Sequence, residues 1–186
     1  MTTWTQIGLL VVALLGVTHI TIANFDVKFE KIEQINGTEY MDFRRIRVRK
    51  FNRTVSVLDG TFDLLMDADD RFLVAVKLAY SSRGNNQFNQ YPMKIAPQKI
   101  CEFFNTTWRD YHQYFKDDTN FPEIGECPIT AKELYVKNHV LDSKMFTKYL
   151  PHGLWRMSLL MQTTDTGAVL LVVEVLFKVA DRGIFQ

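Results

Sequence analysis

The chain has 186 residues, 47% hydrophobic and 23% charged, with a formal net charge of +1. Such a length and composition describe one globular domain with an ordinary core and exclude a disordered chain. The balanced charge excludes a global field that would recruit nucleic acid or acidic surfaces.

Taken from the amino terminus, the first feature is the uninterrupted apolar run Ile7 to Val17. It is shorter than the roughly 20 residues that cross a bilayer, and it matches the apolar centre of a signal peptide. Thr21-Ile22-Ala23 offers small residues for cleavage after Ala23. The expectation is a signal peptide over 1–23 and a single domain over 24–186, secreted and extracellular, with no transmembrane segment after cleavage. A retained signal anchor or a buried strand or helix is the alternative. Three sequons, at Asn36, Asn52 and Asn105, become glycosylation sites if the chain is exported.

Phe25, Val27 and Phe29 alternate with charged residues, which predicts a half-buried strand, and Asn36-Gly37 predicts a turn. Period-two alternation continues from Asp42 to Leu58, with Ile46 and Val48 on one side and Arg45, Arg47 and Arg49 on the other. Asp59-Gly60 reads as a hairpin turn. A strong strand follows from Arg71 to Tyr80, with Phe72, Val74, Val76, Leu78 and Tyr80 on one face, and then a polar loop over Ser81 to Gln90.

Pro97 to Asp117 changes period. Ile100, Phe103, Phe104, Thr107, Trp108, Tyr111, Tyr114 and Phe115 fall on one helical arc, and Glu102, Asn105, Arg109, His112, Gln113 and Lys116 on the other. One amphipathic helix is expected, opened by Pro97. A short strand follows at Glu133 to Asn138. Leu154 to Thr164 places Trp155, Met157, Leu159 and Met161 on one face, and Ala168 to Val179 places Val169, Leu171, Val173, Val175, Phe177 and Val179 on one face. Thr166-Gly167 turns between them. Many strands and one crossover helix predict a mainly β fold, an antiparallel β-sandwich or β-cup.

No catalytic constellation is legible. His112, His139 and His152 lack metal-ligand spacing, and no nucleophile elbow, phosphate loop or zinc-protease motif is present. The expectation is a non-enzyme with no metal and no cofactor. Glu174 interrupts an apolar strand and is expected on its solvent side beside Lys178. Asp67, Asp69 and Asp70 lack the glycine and distal glutamate of a calcium loop and read as a solvated turn. The Arg45/Arg47/Arg49 row reads as a solvated sheet face or, alternatively, as a site for anionic glycan, sulfate or headgroups. Cys101 and Cys127 suit one disulfide in an oxidising compartment, which would contribute about 3–4 kcal/mol in the chain-entropy model. Free or metal-binding thiols are the alternative.

The elements Asn52-Arg53-Thr54, Gly60, Tyr91-Pro92, Cys101, Asn120-Phe121-Pro122, Cys127-Pro128, Tyr135 to Asn138 and Leu150 to Arg156 together resemble an insect-expanded family of secreted proteins. That family includes CheB-type chemosensory proteins and is remotely similar to the ganglioside activator and the ML lipid-recognition group. The likeness covers about Asn52 to Gln162. It implies non-catalytic extracellular binding of an apolar ligand, a lipid, cuticular hydrocarbon or pheromone, with a membrane receptor or channel as a further partner. Relatives carry more cysteines, so no disulfide beyond Cys101–Cys127 is carried over. On this reading the strand faces and the helix supply a ligand cavity from Val74, Val76, Phe104, Trp108, Trp155, Met157, Met161, Val173, Val175 and Phe177. The competing reading is an extracellular protein-interaction or glycan-binding module with a filled core.

Overall fold

A computed structural model describes residues 25–146 and 150–184; the expected signal peptide lies outside the described residues. In chain order the elements are β1 (Phe25–Asn36), β2 (Met41–Asp42), β3 (Arg47–Lys50), β4 (Ser56–Leu64), β5 (Phe72–Ser81) and β6 (Asn89–Lys99). They continue as α1 (Ile100–Asn105), α2 (Trp108–Phe115), β7 (Lys132–His139), a 3₁₀ turn (Ser143–Met145), β8 (Gly153–Thr163) and β9 (Val169–Asp181). The fold is mainly β and antiparallel, a sandwich of two sheets. The larger sheet has the order β1-β9-β8-β5-β6. In the smaller one β4 is central, with β7 along one edge and β2 and β3 along the other.

Period-two patterning sets the inner face of the large sheet. Val76 lies opposite Leu159, which lies opposite Val173, and Tyr80 lies opposite Trp155, which lies opposite Phe177. The first row joins Phe62, Leu64, Leu134 and Val136 of the small sheet in one apolar cluster through Leu159 and Val173. A second cluster gathers Phe25, Trp155, Phe177, Leu141 and Leu150. Glu174 falls on the outer face, as its strand position requires; its partners are Ser158 and Arg156, while Lys178 pairs with Glu30 instead.

Three elements differ from expectation. The long strand expected over Asp42 to Leu58 is cut by a turn at 51–55, because Asn52 Oδ1 accepts from Thr54 N, Thr54 Oγ1 and Val55 N at 2.7–3.0 Å. That side chain supplies the turn itself. Asp59-Gly60, expected as a hairpin, lies inside β4 instead. Gly60 has φ +133°, and a Cβ there would come within 2.2 Å of the Arg45 carbonyl, so this glycine serves a close backbone approach. Opposite it, Lys137 and Asn138 of β7 bulge against Asp59, whose Oδ1 accepts from Asn138 N at 3.0 Å.

The single helix expected over Pro97 to Asp117 is likewise corrected to two. Pro97 belongs to β6, an edge strand, where a missing N–H is tolerated. The helix then breaks at Thr106-Thr107. Thr106 Oγ1 donates back to Glu102 O at 2.7 Å, and Thr107 is held by the Gln98 side chain. Such local bonds compete with helix continuation.

Candidate functional site: a half-covered apolar face

The inner face of the large sheet is not uniformly covered. Trp155, Val173, Val175, Phe177 and Met161 are buried, Trp155 completely. Val74, Val76 and Met157, although on the same face, are half-buried, as are Leu159 and, on β6, Tyr91, Met93 and Ile95. The two core clusters share Ile32 and Leu58 as packing neighbours on the β1 side. Toward β6 they part, and among the described residues Val76 and Ile95, opposite one another in register, pack on neither cluster.

The helices border this gap on one side. Trp108 is buried beside the rings of Phe104, Phe115 and Phe121, and Phe104 is half-buried and packed on the small-sheet cluster. Tyr111 is half-buried, and burial, with the charge of Asp110 adding, pushes its hydroxyl pKa up, so it stays neutral. Met145 and Phe146 border the other side, packed with Met93 and Met157 on the Trp155 cluster. Tyr114 Oη donates to the Lys144 carbonyl at 3.0 Å and ties the two borders together.

The helical cap is anchored at several points. Cys101 and Cys127 form a disulfide with Cα atoms 5.4 Å apart. Trp108 Nε1 donates to Pro122 O at 2.9 Å, and Gly125 N to Phe104 O at 3.1 Å. Asp70 Oδ1 accepts from Cys101 N, Asp67 Oδ1 accepts from Ala131 N, and Asp69 pairs with Arg71. The acidic turn therefore has a separate structural role for each carboxylate.

At the far end of α2 the Phe115 ring stacks on His139, with centroids 4.5 Å apart. His139 is 2% exposed, and its Nδ1 lies 2.9 Å from Asp118 Oδ2. Sequence spacing gave this histidine no role; only the return of the 116–121 segment along β7, through the Thr119–Val136 bridge, brings Asp118 to it.

Chemically, the half-covered face is a wall of apolar side chains with three methionines, Met93, Met145 and Met157, on its margin. Methionine adapts to ligands of varied shape. Lys77 and Lys94 alternate to the opposite face of the sheet, so no charged group from β5 or β6 joins this wall. Among the described residues no group of three or more His, Cys, Asp and Glu side chains could hold a metal ion, and no helix is long and apolar enough to cross a membrane.

Asn36, Asn52 and Asn105 are all exposed. The arginine row is largely neutralised: Arg45 pairs with Asp63 and Glu133, and Arg49 with Asp59. An open cleft of about 390 Å³ lies at one end of the sandwich, between Asp26–Lys28, Thr54–Ser56 and Val140–Ser143. None of the expected cavity residues lines it.

Residues 74–157, from within β5 to within β8, match the model of a family described as a protein of unknown function (DUF1091). The match includes both cysteines, the helical cap and most of the half-covered face. No curated protein matches the chain.

Proposed function

We propose that the protein is a secreted, non-enzymatic binder of an apolar ligand, a lipid, hydrocarbon or pheromone, acting in chemosensation. The observation that carries this reading is the parting of the two core clusters at Val76 and Ile95, an inner-face pair on β5 and the edge strand β6 that packs on neither cluster. An acyl or hydrocarbon chain laid there gains about 0.8 kcal/mol per CH₂ removed from water. The resemblance to CheB-type and ML proteins supports the same class of ligand, and the apolar leader with exposed sequons supports export.

The test is organic extraction of the purified secreted protein with mass spectrometry, paired with thermal melts in long-chain lipids and alkanes. A ligand present at about 100 times its dissociation constant raises stability by about 2.7 kcal/mol. Val76→Arg should remove that gain while leaving the unliganded melt nearly unchanged. Repeatedly lipid-free protein with no melt shift in any long-chain compound would refute the reading.

A further inference from the structure

We infer that the β3–β4 hairpin tip, together with Val140, is a docking surface for an anionic lipid bilayer. The inference goes beyond ligand binding and does not depend on it. Phe51 stands at the tip with 59% of its surface exposed, and Val140 is 49% exposed. They share one end of the molecule, since Val140 and the hairpin residues Thr54 and Val55 line the same open cleft. The hairpin is closed by Phe51 N donating to Val55 O at 2.9 Å and by the three donors on Asn52 Oδ1. An ordered turn therefore holds the ring outward.

Charge also favours the same tip, with Arg47, at the other end of β3, likewise exposed and without an ion pair among the described residues. Within the basic block, Arg44, Arg45 and Arg49 are paired with carboxylates. Lys50 and Arg53, which flank Phe51, are exposed and make no ion pair among the described residues. Lys144, also exposed, follows one residue after the cleft-lining Ser143, and Lys28 lines the cleft. The acidic groups facing this cleft are Asp26 and Asp142. Each accepts a backbone N–H, from Gly183 and from Lys144, and the cations at this end outnumber them.

An aromatic ring between two unpaired cations fits the headgroup zone, where the ring lies among glycerol and upper acyl groups and the cations meet phosphates. A soluble acidic polysaccharide offers Phe51 only the C–H face of a sugar ring, whereas the headgroup zone buries the whole side chain. The tip is also far smaller than the roughly 800 Å² per partner of an ordinary protein interface. The segment from Val140 runs directly into Met145 and Phe146, so docking here sets the border of the half-covered face close to the membrane.

Asn52 lies between Phe51 and Arg53, and a glycan on it would keep the tip off the bilayer, so the inference applies to the chain with Asn52 unglycosylated. The test therefore starts from Thr54→Ala, which removes the sequon but keeps the backbone bonds from Thr54 N and Val55 N. This protein should sediment with phosphatidylcholine vesicles containing about 30% phosphatidylserine and not with phosphatidylcholine alone. Adding Phe51→Ser should lower partitioning about tenfold or more, and neutralising Lys50 and Arg53 to Ser should lower it about fivefold per cation.

Phe51→Ser should leave the melting temperature and any ligand-induced shift unchanged, which separates failure here from failure of the ligand reading. Absence of vesicle binding overturns the inference. So does vesicle binding equal in the Phe51→Ser variant, or competed away by a soluble acidic polysaccharide alike in both proteins.

Discussion

The two halves of the large sheet are built from similar residues and end in different states. Along β9, Val173, Val175 and Phe177 are buried with Phe25 and Phe29 of β1, beside half-buried Val27 and Ile32. Along β5, by contrast, Val74 and Val76 are half-buried between buried Phe72 and Leu78, and along β6 Met93 and Ile95 are half-buried. Strand alternation cannot produce that difference, since both halves alternate well. The cause is the opposing wall: β4 and its neighbours cover the β1 side, whereas toward β6 the small sheet ends at β7 and a broken helix bridges the remaining span. A strand's pattern decides which face turns inward, and the partner layer decides whether that face is sealed.

Substitutions can break this comparison at known places. The largest loss is expected for Trp155→Ala. Its ring is fully buried against Tyr80, Tyr91 and Phe177, and denaturant titration should show about 3–5 kcal/mol. Replacing Cys101 and Cys127 by Ala should cost about 3 kcal/mol by the same measurement and should raise amide exchange first in α1 and α2. His139→Phe keeps the stack under Phe115 but removes the donor to Asp118 Oδ2, for about 1–3 kcal/mol. If it is neutral, Asp118 is hydrated and the pair is not what fixes α2.

A matched pair sharpens the contrast between the halves. Val175→Ala should cost about 2 kcal/mol and Val76→Ala under about 1; equal costs would mean that Val76 is as well covered as Val175. The smallest effect is expected from acid. Asp42, held down to about 2 by the Arg44 guanidinium, and Asp59, Asp69, Glu126 and Asp165, also depressed by hydrogen-bond partners, ionise more readily folded than unfolded. Their contribution is present above the ordinary carboxylate range near pH 4. It is lost as pH falls through their lowered values, so melting temperature should decline modestly only below about pH 4.

Much of the sandwich is legible in the sequence because β5, β8 and β9 repeat a two-residue period over their whole lengths. The helical arc of aromatics is legible too, since Ile100 and Trp108 are buried while Glu102, Asn105, Arg109 and Gln113 are exposed. What escapes is decided by contacts distant in sequence or by side chains acting on backbone. Gly60 looks like a turn residue until Arg45 is seen against it. β6, with Pro92 and Pro97, looks unlike a strand until its outer edge is seen to be unpaired. Half-burial at Val76 and Ile95 has no sequence signature, because an apolar residue facing a partner and one facing a gap are written alike.

The buried and bordering aromatic donors share one habit. Trp155 Nε1, Tyr80 Oη, Trp108 Nε1 and Tyr114 Oη bond to the carbonyls of Pro151, His152, Pro122 and Lys144. A carbonyl is supplied by any residue, so these loops are fastened by their backbone path and not by the identity of their side chains. Loop residues around the half-covered face can then be exchanged over generations without loosening the frame.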